Sequence, residues 1–355
     1  MQFFVVLSAV LSVALSVQAR GDAFVVNCAP LTIQRSDPIV SPGVASGHVH
    51  AVVGGNSFSR NMSEPDAALT STKTTCDKKL DHSVYWIPQL YHQNLDSSFE
   101  LVKLTGAAIY YMNRACNYTT DLYCDKSKTA MAPPDGLRMI AGTPSRRTYN
   151  SSEMSERAIN YMCMNDDESH EVYGFPTTPC KLLRTQVFMP SCWDGVNLDS
   201  KDHKSHVSYP TGHYTGDFGG GVCPESHPVG IFSLFYEFFF DTSKYGTNDP
   251  NGNERLVWAM GDPTGHGLHG DFMMGWTDRQ ILQEVYDNCE AGNCPINDAG
   301  SSADEPPVQG PQTLLSPAVY EEDIGLDGNT IPTLPGNNPV TTGIQSVIRR
   351  SRLFI

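Results

Sequence analysis

The segment IFSLFYEFFFD, residues 231–241, is apolar on both alternations of an extended chain. An aromatic-rich run of that kind predicts a central β-strand buried on both faces. Glu237 interrupts it. A carboxylate there must be paired or line a cavity, because burying it alone is expensive.

Similar short runs surround this one. Residues 48–54, 84–91, 106–112, 185–190, 230–241 and 256–261 are rich in aromatic or β-branched residues and bounded by turn chemistry. Helices are few. Thr277 reads as an N-cap, with Gln280 three residues on and Ile281, Leu282 and Val285 on one face. Residues 152–163 form a second helix candidate. The sum predicts a mainly β fold: one disulfide-rich β-sandwich or jelly-roll-like domain with a few short helices and long loops.

Residues 1–19 form an apolar run ending in small residues, and the composition shifts sharply at Arg20, Gly21 and Asp22. This reads as a secretory signal and predicts a secreted, extracellular chain. No other segment approaches the roughly 20 apolar residues of a membrane helix. The chain has ten cysteines, an even number that predicts up to five disulfides in an oxidising compartment. The short Cys116/Cys124 and Cys289/Cys294 intervals suit local loops. Asn61, Asn117 and Asn150 open glycosylation sequons. A net charge of −15 argues against nucleic acid as a partner. Residues 20–297 carry every cysteine, tryptophan and histidine and read as one domain. From 298 to 355 the chain turns Pro-, Gly-, Ser- and Thr-rich without apolar period, which predicts a disordered tail.

Seven of the eleven histidines fall in four clusters set among Gly, Pro, Asp and Trp. Neutral imidazole is a common metal ligand. In GHVHAVVGG, His48 and His50 alternate by two, so on a strand they share a face about 7 Å apart. This HxH pair is the expected metal site, and a divalent metal the expected cofactor. In SCWDGVNLDSKDHKSHVSYP, His203 and His206 would share one side of a helical turn. Asp202 would orient either ring, and Trp193, Asp194 and Tyr209 complete the segment. CPESHP contributes His227. In GDPTGHGLHGDFMMGW, Asp262 opens a turn, glycines flank His266 and His269, and Asp271 and Trp276 follow.

Together with DAFVVNCAPLTIQRSDPIVSPGVASGHVHAVVGGNSF and CPESHPVGIFSLFYE, these motifs resemble the fungal secreted family catalogued as domain of unknown function 1996. The resemblance covers about Asp22 to Cys294. It implies a secreted fungal protein, sometimes fused to carbohydrate-binding modules. Related chains often carry Tyr where this one has His266, which leaves His269 as the favoured histidine of its cluster.

The leading expectation is a hydrolase or lyase whose partner is a polysaccharide or cell-wall glycan. Trp193 and Trp276 would stack on sugar rings, with Asp194, His203 and Tyr209 beside them. Asp194, Asp202, Asp262 and Asp271 supply carboxylates for a glycosidase acid/base pair. His50, His206, Tyr209 and His269 suit the base of a lyase. The alternatives are a non-catalytic glycan-binding or wall-associated protein, and a secreted metal-binding protein. There is no HExxH, nucleophile elbow, P-loop or dinucleotide fingerprint.

Overall fold

The computed structural model describes residues 23–121, 124, 130–211, 218–245, 254–288 and 322–343. The leader, Cys289, Cys294 and the first part of the tail lie outside them. Two antiparallel sheets face each other. One has six strands in the order Ala23–Cys28, Leu104–Met112, Ser233–Asp241, Leu182–Phe188, Ile159–Met164, Ser169–Val172. The other has five: Pro30–Gln34, His50–Gly54, Val84–Pro88, His269–Met273, Arg138–Gly142. The mainly β, disulfide-rich expectation holds.

The aromatic run is the third strand of six. Leu234, Tyr236, Phe238 and Phe240 point at the second sheet and are fully buried. They meet Ala51, Val53, Tyr85, Ile87, Met139 and Phe272 from that sheet. Tyr236 and Tyr85 pack edge to face at 5.6 Å. Each such aromatic contributes about 1.5–3 kcal/mol of burial. Glu237 faces the other way. Arg184 Nη1 lies 2.9 Å from it, and the Tyr110 hydroxyl donates to it at 3.1 Å. The carboxylate is paired, as a buried charge must be.

The far side of the five-stranded sheet carries a second core. Val52, Trp86, Ile140 and Met273 project there and pack with Leu31, Ile39, Phe58 and Met62. The loops between 35 and 75 therefore cover this face, and the site described below lies on it.

Disulfides join Cys28–Cys76, Cys116–Cys124, Cys163–Cys180 and Cys192–Cys223. No helix among the described residues is long and apolar enough to cross a membrane.

Three expectations change. The helix of residues 152–163 shrinks to Met154–Arg157, and the rest becomes the strand Ile159–Met164. Ile159, Tyr161 and Cys163 alternate into the core, and pairing on both edges outweighs one helical turn. The later helix is capped by Asp278 in place of Thr277: its carboxylate accepts the Ile281 N–H at 3.0 Å. The tail is not structureless throughout. Residues 322–343 fold back, pairing Thr330–Ile331 with Phe99–Leu101 and burying Ile324, Ile331 and Leu334 against Tyr91 and Val257. These isolated apolar residues have no period, so the sequence gives no sign that each meets a pocket.

A buried polar network spans the main core. The Tyr85 hydroxyl lies 2.6 Å from Asp81 Oδ2 and 2.7 Å from the Tyr111 hydroxyl, which receives the Trp276 indole N–H at 2.9 Å. Burial pushes the Asp81 carboxyl from 3.8 up to about 6, against hydrogen bonds from Tyr85 and Ser83 that lower it. The fold thus holds this proton more tightly than the unfolded chain does. The associated stability is complete below about pH 3.8 and is lost as pH rises through about 6. Wild type should therefore lose roughly 2–3 kcal/mol relative to Asp81→Asn between pH 4 and 7, by urea unfolding. A pH-independent difference between the two would exclude Asp81 as the titrating group.

Candidate metal centre

Strand register brings His50 and His269 together. His50 pairs with Pro88 on one side of the strand Val84–Pro88. On its other side Asp271 pairs with Trp86, which sets His269 level with Pro88. His50 and His269 thus project from flanking strands at one height, on the second-core face, and their rings lie 5.9 Å apart. His48 precedes the strand. Its backbone is free of the pleat, so its ring comes within 4.3 Å of His50, closer than the 7 Å or so of strand alternation. Glycine at 142 permits the packing beside His269. Its φ is +91°, and a Cβ there would fall 2.8 Å from the His269 Cα.

The ligand atoms of His48, His50 and His269 lie within 4.8 Å of one another. His50 Nδ1 is 3.0 Å from the Ser36 carbonyl, and His269 Nδ1 is 2.9 Å from the Gly267 carbonyl. A carbonyl only accepts, so both Nδ1 atoms carry the proton and both Nε2 atoms present lone pairs. His269 Nε2 lies 3.1 Å from His48 Nε2, and His50 Nε2 is buried with no partner. All three rings stay neutral. Burial first, then their mutual repulsion, drives His48 well below the usual range and His50 down to about 3. Burial also takes His269 down to about 4 against the Gly267 carbonyl. Neutral imidazoles oriented by backbone carbonyls are the arrangement that ligates a transition metal.

Asp271 stands beside them. Its Oδ2 lies 4.0 Å from His269 Nε2, it is buried, and neither oxygen has a hydrogen-bond partner. Burial, and Asp37 next, hold it well above the ordinary carboxylate range, with Lys204 opposing. Lys204 donates to the Gly142 carbonyl and sits 3.4 Å from the Thr143 hydroxyl. Asp37 and Lys204 also belong to this neighbourhood, outside the residues that motif spacing points to. Lys204 sits inside a histidine cluster. Asp37 opens an Asp-Pro turn whose N–H groups from Ile39 and Val40 it accepts.

The remaining candidates do other work. His206 is spent on structure: Nε2 meets the Arg138 carbonyl at 2.6 Å and Nδ1 the Ser200 hydroxyl at 2.8 Å. His203 pairs with Asp199 at 2.8 Å. Asp202 gathers the Ser205 N–H and hydroxyl and the Ser200 hydroxyl, which hold it well below the ordinary range and bar it from acting as an acid. Asp194 brackets its own loop by accepting the N–H groups of Val196 and Asn197. The Trp193 indole donates to the Asn197 carbonyl, and Tyr209 to the Phe188 carbonyl. Trp276 is core, 1% exposed, so it stacks on no substrate. Asp262 accepts the Gly267 N–H at 2.6 Å and so shapes the turn whose carbonyl orients His269. It is a positioning residue. Polar loop brackets and site residues share one composition, so composition alone does not separate these groups from a site.

A family model described as domain of unknown function (DUF1996) matches residues 37–276. No curated protein and no solved structure matches the chain.

Proposed function

The chain belongs to the DUF1996 family, and we propose that it is a secreted fungal metalloenzyme cleaving cell-wall polysaccharide by hydrolysis or elimination. The observation that carries this reading is the convergence of three neutral imidazoles beside a partnerless buried carboxylate. Imidazole donors suit zinc, copper, iron or nickel. His48, His50 and His269 would hold a divalent ion, which would supply Lewis acidity toward a water or a substrate carboxylate. Asp271 would be the proton acceptor beside His269, and Lys204 would favour the ionised carboxylate that this role needs. Asp262 and the Gly267 carbonyl keep the His269 lone pair aimed inward.

A metal-free pair of glycosidase carboxylates is disfavoured. Asp194 and Asp202 are consumed by their turns, and Asp262 by Gly267 and Thr264. Secretion is supported by four disulfides, by the apolar leader, and by the exposure of Asn61, Asn117 and Asn150. The substrate class rests on that compartment and on the polar loops around the centre.

The test combines elemental analysis of the purified protein with product release from pectin, β-glucan and chitin. One bound metal per chain and chelator-sensitive cleavage are expected. New reducing ends alone mark hydrolysis, and an unsaturated product marks elimination. Stoichiometric metal without turnover would favour the binding-protein alternative. A folded protein with neither metal nor cleavage would sink both readings.

A further inference from the structure

Among the three ligands His48 is held differently. His50 and His269 sit on strands and are oriented by backbone carbonyls. Among the described residues no carbonyl holds the His48 ring, which faces His269 Nε2 at 3.1 Å. Its place is set through its backbone, residues 46–49. The Ser46 N–H donates to the Arg35 carbonyl at 3.1 Å and the Val49 carbonyl accepts the Gln89 N–H at 2.9 Å, and two side chains from outside the stretch also grip it. Arg35 Nη1 donates to the Ser46 carbonyl at 2.7 Å. Asn338 Nδ2 donates to the Gly47 carbonyl at 2.8 Å, and also reaches the Ala259 carbonyl at 3.1 Å and the Pro335 carbonyl at 3.0 Å.

Asn338 belongs to residues 322–343, beyond the stretch matched by the family model. This strap touches the loop before His50 and the turn before Asp262. Glu322 pairs with Arg35 at 2.5 Å. Gly336 lies so close to Gly47 that a Cβ would fall 2.7 Å from the Gly47 carbonyl oxygen. The Thr341 N–H donates to the Gly261 carbonyl, next to Asp262, and its own carbonyl accepts from Arg147 Nε at 3.0 Å.

We infer that the C-terminal strap is part of the metal centre's supporting structure, with Asn338 as the residue that positions His48. This rests on the metal reading above. One amide side chain ties the backbone beside His48 to the Ala259 carbonyl and to the strap's own turn. Groups that orient a ligand from behind are typically worth 10- to 100-fold in metal affinity.

The experiment measures Zn(II) affinity by indicator competition and the Co(II) absorption spectrum in the full chain. Asn338→Ala and the isosteric Asn338→Asp, which lacks the N–H donors, should each weaken Zn(II) binding about 10-fold and shift the Co(II) spectrum. Asn338→Ala should have little further effect in a His48→Ala background, because both changes act through the same ligand. An equal loss in both backgrounds, or no loss in the first, would overturn the positioning role. Coupling is reciprocal, so Zn(II) should also slow proteolysis within 322–343 of the unmutated protein. That measurement needs no variant to fold, and unchanged cleavage there counts against the inference. If the wild-type chain binds neither ion, the metal reading fails and this one with it. If it binds normally and the variants match it, only the strap's role fails.

Discussion

His269→Ala is expected to lose both the bound metal and turnover while the protein stays folded. The ring supplies one of three converging Nε2 atoms, and its Nδ1–H is committed to the Gly267 carbonyl. Partners that merely orient ligands are worth about 10- to 100-fold in affinity, so deleting a ligand should exceed that range. The structural loss is smaller. A buried carbonyl loses its donor and a ring-sized space opens, together costing about 2–4 kcal/mol. The two facing sheets do not depend on it. His206→Ala is the contrasting control. His206 is equally buried, yet both its nitrogens serve the loop and the strand Arg138–Gly142. That variant should lower the melting temperature and keep metal stoichiometry. Elemental analysis and thermal melts of the two proteins separate the roles. Retention of metal by His269→Ala would remove it from the centre.

Asp271→Asn should make the metal-free protein more stable and the enzyme nearly inactive. Both Asp271 oxygens are buried without a partner, and Asp37 adds like charge. A buried polar group left unsatisfied costs about 1–3 kcal/mol, more when charged. Asn keeps the shape and cannot ionise, so in urea unfolding with chelator present the variant should gain on the unmutated protein as pH rises above the ordinary carboxylate range. Activity should fall about 100-fold or more, the typical contribution of a positioned proton acceptor. A site that sacrifices stability for chemistry behaves this way. If Asp271→Asn destabilises the metal-free protein instead, the carboxylate is a structural partner in the fold.

Much of the fold was legible in residue order. Alternation and aromatic content located the strand around Phe235–Phe240, and the one carboxylate within it had to be paired or line a cavity. Local loops were legible too: the interval Cys116/Cys124 closes as its spacing suggests. The His48/His50 pair was legible as a metal motif because two ligands lie within three residues. The roles of His206, Asp202 and Asp194 were not. Their sequence surroundings match those of His269 and Asp271, and the difference is whether nearby backbone groups consume their polar atoms.

The sequence by itself determined the β class, the central aromatic strand, the local Cys116–Cys124 loop and two of the three histidines. Each depends on residues a few positions apart, where chain geometry leaves little choice. Tertiary structure alone decided that His269, 221 residues from His48, joins them. It also decided that Asp271 is buried beside His269 and that residues 322–343 grip the loop before His50. Those outcomes follow from which strands flank Val84–Pro88 and in what register. Strand order comes from packing two sheets against one core, which local spacing does not encode.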